Sequence, residues 1–491
     1  TLTRPLPQAV LTYRYPTTDS AIACFELLTS GFWLLASDTI APLFVAQSAF
    51  RYKYMKEATG EGLVRGIGRL DLVAITINAI IGAGIFGLPS EVFSRTGSYS
   101  LIAFAVCALV VMLIVLCFAE VGSRFSGTGG PYLYSREVFG PVVAFEVGWL
   151  LWLARLTAFA ANLNLLVSYV GFFWPSATDT FWRAVIILTV VSLLTAVNIA
   201  GVRDATIVSN IFTVGKLLPI LLFIFAGLFF INFDNYSFAA RPGFGEFSAS
   251  VLALVYAFSG FEMAVIPAGE VRDPRRNAPL ALITALLVVV LIYILIQIVC
   301  IGTLPGLATS TRPLADAGGV FLGAAGASII SAGALVSIIG NLNVIVLAGS
   351  RLPFAMAERG ELPQMIARTH SRFRTPHVSI LITALIMAAL TLASNFVGAL
   401  TISAIARLLT YAVTCAALPV LRRKPDAPPA LFKAPAGVAA SIASLLLAAW
   451  LLSNTTALQA GQAAMAAAFG LLIYIAYRWG RGFTKRGADH Y

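Results

Sequence analysis

Between Ile80 and Pro89 the chain reads IIGAGIFGLP, inside an otherwise unbroken apolar run. Gly82, Gly84, Gly87 and Pro89 fall within eight residues there. Glycine costs a helix about 1 kcal/mol per position and proline about 3. In lipid every backbone group freed by such a break must find another partner. A broken helix therefore persists only where irregular backbone lines a cavity, and in transporters that cavity takes the substrate. A second break follows at AFSGFE, Ala257 to Glu262, in another apolar run. Two broken helices in one chain point to secondary transport.

Composition supports a membrane setting. The chain is 59% hydrophobic and 11% charged, with a mean hydropathy of +0.88. Soluble domains carry about 25% charged residues. Runs of roughly 20 apolar residues cross a bilayer as helices. Such windows fall at 72–94, 100–122, 139–170, 184–201, 206–231, 249–269, 279–302, 319–348, 377–394, 399–420, 437–453 and 463–479. The third and eighth are long enough to imply tilt. Strand-length alternation is absent, which excludes a membrane barrel.

The net charge of +11 is unevenly placed. Lys and Arg gather in alternate connections and at both ends, while the opposite connections hold Arg95, Arg183, Arg241 and Arg312. That asymmetry predicts cytoplasmic termini in an inner, or plasma, membrane. It also accounts for the charge without nucleic acid, since basic tails beside a bilayer meet anionic lipid.

Cys24, Cys107, Cys117, Cys300 and Cys415 lie in apolar stretches without metal or redox spacing and read as small core residues. His370, His377 and His490 fall in predicted connections or the tail. No nucleotide loop, hydrolytic triad or metal motif is visible, so no cofactor, metal or enzymatic chemistry is expected. A channel is disfavoured too, because isolated charges do not make a continuous polar pore. A transporter-like sensor is the remaining rival.

Residues 1–54 fit poorly with the rest. The first Met is Met55, and the apolar stretch 21–46 contains Glu26 and Asp38 without the plan of a signal peptide. They are expected to be an extension that is non-native or disordered and dispensable, with a genuine interfacial segment as the alternative.

Several motifs in order resemble an amino acid permease of the amino acid–polyamine–organocation superfamily, with the LeuT-type fold. They are IIGAGIFGLP, GTGGPYLYSREVFGP (Gly127–Pro141), NIFTVGKLLPILL (Asn210–Leu222), FSGFEMAVIPAGEVRDPRRNAP (Phe258–Pro279) and SRLPFAMAERGELP (Ser350–Pro363). The resemblance covers about 70–425. It implies an all-α integral membrane protein of twelve transmembrane helices, with an inverted 5+5 repeat broken in helices 1 and 6. The expected division is a cytoplasmic lead-in at 55–71, a first repeat at 72–231 and a second at 249–420. Spans 11 and 12 occupy 437–479, before a cytoplasmic tail at 480–491. An odd number of spans per repeat requires the second copy to run inverted.

The resemblance also implies a site. An amino acid's carboxylate would dock on Gly82, Ala83 and Gly84, where freed amides and the helix dipole favour an anion. Its amino group would meet carbonyls of Ile80 and of Phe258 or Ser259, beside Gly260. Close helix packing through small residues is the competing reading of the glycines. Phe258 or Tyr256 is a candidate aromatic gate.

Arg155 shares a helix face with Gly148, Trp152, Phe159 and Asn162. It either faces substrate, repelling cationic side chains, or pairs with Glu146 or Glu262 to hold helices. Glu262 is an intramembrane carboxylate and a functional candidate by default. It is read either as a coupling group or as a structural partner of Arg155. Arg407 is expected to be structural. The cluster Glu270, Arg272, Asp273, Arg275 and Arg276 either forms gate salt bridges with Arg351 or Arg359 or is a solvated positive-inside loop.

Lys216 lies mid-span with no acidic neighbour within a turn. By resemblance its ammonium takes a place that sodium fills in sodium-coupled relatives. It would join the span 1 backbone near Asn78 and Ala79 to Ser337 or Asn341 and couple transport to protons; a lysine permanently charged and permanently bonded is the competing reading. The expected function is proton-coupled uptake of a neutral or acidic amino acid by alternating access, with exchange as the alternative. The substrate and oligomeric state are not legible.

Overall fold

Helix forms wherever the chain is apolar and free of breakers, and the interruptions are what position the site. A computed structural model describes residues 67–127, 129–200, 205–266, 268–373 and 375–488. The expected extension at 1–54 and most of the lead-in at 55–71 lie outside the described residues.

Fourteen α-helices are present among the described residues. They are α1 (Arg69–Ile80), α2 (Gly84–Thr96), α3 (Ser100–Gly122), α4 (Pro131–Phe139), α5 (Pro141–Phe173), α6 (Thr180–Ala200) and α7 (Ala205–Gly227). The rest are α8 (Phe244–Phe258), α9 (Pro274–Thr303), α10 (Pro313–Glu358), α11 (His377–Ala393), α12 (Phe396–Arg423), α13 (Gly437–Ser453) and α14 (Ala457–Ala488). The described residues contain no strand, only an isolated bridge between Ile67 and Val271. Eight helical stretches are long and apolar enough to cross a membrane, by length and composition. Three shorter apolar helices accompany them.

Outward faces are apolar, with Phe229, Leu385 and Leu472 all exposed. That surface is satisfied by lipid. The helices pack in two groups. One joins α1, α2, α3, α8 and α9, and the other gathers α10, α11 and α12 along α5.

Three windows depart from continuous helix. The first is α1 and α2, separated at Ile81–Ala83. In the sixth, helix stops at Phe258 and gives way to 3-10 turns at Phe261–Ala264 and Ala268–Glu270, resuming only at Pro274. In the eighth, the 46-residue α10 kinks at Gly323, whose φ of +66° suits glycine.

The proline-rich connection between α12 and α13 is tied to the ends of other helices. Glu120 of α3 receives Arg422 through two bonds of 2.7 and 2.6 Å, and the Ala434 amide at 2.9 Å. Arg124 donates to the Pro428 carbonyl at 2.9 Å. Arg275, expected in a salt-bridged gate, instead donates to the carbonyls of Ser123 and Pro429. Arg359 lies 4.7 Å above the Tyr132 ring, and Glu361 takes Arg136 at 2.8 Å and the Tyr132 hydroxyl at 2.9 Å.

Candidate functional site

The first break begins where α1 ends. Ile81 is extended, with ψ of 93°, and α2 restarts at Gly84. The last carbonyls of any helix lack intrahelical donors. Here Lys216, buried on α7, donates to the carbonyls of Asn78 at 3.0 Å and Ile81 at 2.8 Å. Of the two residues expected to receive a second arm on α10, Ser337 Oγ has no hydrogen-bond partner, and Asn341 lines the same cavity as Lys216. The Ala83 amide is held by Asn162 Oδ1 of α5 at 3.3 Å.

The second break turns on Gly260, with φ of +111°. A Cβ there would stand 2.3 Å from the Ala79 carbonyl oxygen, so the two breaks touch. The Gly260 amide donates to Glu262 Oε2 at 2.9 Å. Glu262 is fully buried and is bonded also by Arg407 and by the Tyr411 hydroxyl, the latter at 2.9 Å. Arg155 stands 3.9 Å from the same carboxylate and donates to Met263 Sδ at 3.4 Å. Tyr293 of α9 joins the breaks, its hydroxyl lying 3.2 Å from the Ile80 carbonyl and 3.1 Å from that of Ala257.

Between the breaks lies a cavity of about 110 Å³. Ile80, Gly82, Ala83, Gly84, Arg155, Ser259, Gly260 and Lys216 all line it. Phe258 and Glu262 do not. Phe258 packs against Phe104 and Tyr293, with ring centroids 6.4 and 5.1 Å away. Two residues along a helix turn a side chain by about 200°, so Tyr256 faces the cavity and Phe258 turns from it. Glu262 sits behind the wall, screened by Arg407 and Arg155, which do line the cavity. Glu146 is not the partner of Arg155; its Oε1 has no hydrogen-bond partner.

The glycines serve contact as well as exposure. A Cβ on Gly82 would lie 2.2 Å from Asn341 Nδ2, and one on Gly84 would lie 2.8 Å from the Ala257 Cα. Sequence reasoning missed the linking roles of Asn162 and Tyr293. Arg407 was assigned only to structure, yet it borders the cavity. Its signal, an arginine within an apolar run, was available. Among the described residues, no group of three or more His, Cys, Asp or Glu side chains is placed to hold a metal.

Residues 67–476 match the sequence model of the amino acid permease family. The chain is 28% identical to the methylthioribose transporter of Bacillus subtilis (strain 168) over 457 residues, covering 88% of this chain and 98% of the relative. It is 33% identical over 340 residues to the serine/threonine exchanger SteT of the same organism, covering 65% and 74%. It is 30% identical over 395 residues to the large neutral amino acids transporter small subunit 2 of Oryctolagus cuniculus, covering 75% and 72%. With its apolar helices and this match over most of its length, the chain is a multi-pass membrane protein and belongs to the amino acid permease family of the amino acid–polyamine–organocation superfamily.

Proposed function

We propose that the protein is a secondary active transporter that takes up a small neutral or acidic amino acid by alternating access, coupled to protons. The observation that carries this reading is the single cavity at which both helix breaks meet. The substrate carboxylate docks on the amides of Gly82, Ala83 and Gly84, and the amino group meets the carbonyls of Ile80 and of Ser259 or Phe258. Broken backbone of this kind supplies both polarities to a ligand at membrane depth.

Charge and size narrow the substrate. Lys216, Arg155 and Arg407 line the cavity, whereas no carboxylate lines it among the described residues. Two like charges 4 Å apart repel by roughly 4 kcal/mol at an effective dielectric of about 20. Cationic amino acids are therefore disfavoured. A cavity of about 110 Å³ has room for a small ligand.

In the proposed cycle, twelve spans form two inverted five-helix repeats, and spans 1, 2, 6 and 7 rock against the others. The two packing groups support that division. Asn78 and Ala79 are partly exposed while residues 81–90 are buried, which supports a cavity reached from the α1 side, cytoplasmic in this topology. Protonated Lys216 ties the end of α1 through Asn78 and Ile81, and loss of that proton releases it. Glu262, bonded on both oxygens, is better suited to anchoring the second break than to carrying a proton. Both termini are cytoplasmic in this scheme, and a chain starting at Met55 inserts and transports.

Exchange is the second reading, favoured by the likeness to the serine/threonine exchanger SteT. Purified protein in proteoliposomes decides. The assay is uptake of labelled serine, threonine, alanine, glutamate, lysine and methylthioribose, with and without an imposed pH gradient or sodium. Accumulation of a neutral or acidic amino acid driven by protons is the expected result. Uptake that requires an amino acid on the opposite side establishes exchange. A preference for lysine, or dependence on sodium, overturns the proposal.

A further inference from the structure

Asn162 is placed unlike its neighbour Asn164. Asn164 joins helix to helix, meeting Arg183 at 2.8 Å and approaching the carbonyls of Thr391 and Ser394. Asn162 points into the cavity instead. Its Nδ2 is firmly held, donating to the Tyr256 hydroxyl at 2.6 Å and to the Ala158 carbonyl at 2.7 Å. Its Oδ1 is left facing the first break, where it accepts from the Ala83 amide at 3.3 Å. That is long for an N–H to oxygen bond, whose usual length is about 2.9–3.0 Å. One end of the carboxamide is clamped and the other holds its partner loosely.

We propose that Asn162 is a stand-in for the substrate's carboxylate. In the empty carrier its side-chain oxygen occupies the Ala83 amide, and an arriving carboxylate displaces it, unhooking the first break from α5. The proposal rests on the reading of that break as the carboxylate site. Its chemistry follows from the acceptors: a carboxylate makes charge-assisted bonds roughly twice as strong as those of a neutral carboxamide. The exchange is therefore downhill for an amino acid, and no amide is left bare in its absence. The clamp from Tyr256 and Ala158 keeps the displaced carboxamide in register, so it returns when the substrate leaves. Asn162 is thus a positioning residue that biases the empty carrier rather than a substrate ligand.

The test compares Asn162→Ala with the native protein. Binding of L-serine, L-threonine and L-alanine is measured beside their carboxamides, which lack the carboxylate. Removing a neutral competing bond shifts affinity by about two- to tenfold. The stand-in predicts tighter binding of the amino acids by that factor and unchanged binding of the carboxamides. It also predicts faster efflux into substrate-free buffer relative to exchange, because the empty carrier loses a tether. Tyr256→Phe, which loosens the clamp, should move amino acid binding in the same direction by about two- to threefold, and it serves if Asn162→Ala does not fold. Weaker or unchanged amino acid binding in both variants overturns the proposal, as does an equal shift for amino acids and carboxamides. If the native protein binds none of the three amino acids, the functional reading fails first and the stand-in fails with it.

Discussion

The two helix breaks face one problem and are closed by opposite charges. At the first, carbonyl oxygens freed at the end of α1 are gathered by the Lys216 ammonium. At the second, the freed Gly260 amide is taken by the Glu262 carboxylate. The breaks differ again in how those charges are held. Lys216 meets backbone oxygens and has no ion pair among the described residues. Glu262 is enclosed by Arg407, Tyr411 and Arg155. A cation held only by carbonyls is released by losing a proton, whereas a carboxylate between two guanidiniums is a fixed joint. In the proposed cycle the first break is therefore the one that changes and the second the one that stays.

The largest effect should come from Glu262→Ala, which strands Arg407 and Arg155 without their carboxylate. Removing one partner of a buried pair is destabilising by about 3–5 kcal/mol. Purified Glu262→Ala should lose most of its folded, monodisperse fraction in detergent, and thermal unfolding would expose the deficit. Native-like stability would mean that the second joint is not held by charge.

Gly260→Ala should come next, because it combines a positive φ with a Cβ 2.3 Å from the Ala79 carbonyl oxygen. Backbone strain of this kind amounts to about 1–3 kcal/mol before the breaks are pushed apart. Transport should disappear while the protein still inserts. Normal uptake would show that the breaks need not touch.

Lys216→Ala should be milder in stability and sharper in function. It forfeits two hydrogen bonds to a charged donor, about 1.5–3 kcal/mol each before compensation by water. Binding should survive, while accumulation driven by a pH gradient collapses. If the variant still concentrates substrate under a proton gradient, the first break is not the moving part.

Tyr293→Phe should be the smallest. It deletes a neutral hydroxyl shared by the Ile80 and Ala257 carbonyls, about 1 kcal/mol. A modest fall in melting temperature without loss of coupling is expected.

The breaks were legible because three glycines and a proline within eight residues interrupt an apolar run, and Lys216 stood out because no acidic residue lies within a turn of it. What escaped were partners brought together by packing. Asn162 reaches Ala83 across 79 positions, Arg407 reaches Glu262 across 145, and Tyr293 reaches Ile80 across 213. A single sequence carries no local sign of such meetings. In the sixth window the break at Ala257–Glu262 was legible but the 3-10 turns beyond it were not, because FEMAVIPAG is apolar and hydropathy does not distinguish α-helix from 3-10 turns. Phe258 was named beside Tyr256 because aromatic character alone does not tell which face of α8 meets the cavity.

The ties around Glu120 bear on how the chain is assembled. Its ion partner Arg422 lies 302 positions downstream and its amide partner Ala434 lies 314 downstream. During synthesis Glu120 therefore enters the membrane with only Arg124, one turn away at 3.4 Å, to meet it. The clasp closes only after α12 has been made and brought alongside α3. N-terminal segments are made first and wait for later ones. Closure of this clasp is thus one of the last events in biogenesis, and a chain interrupted before Arg422 carries a buried acid with its main counter-ion still unmade.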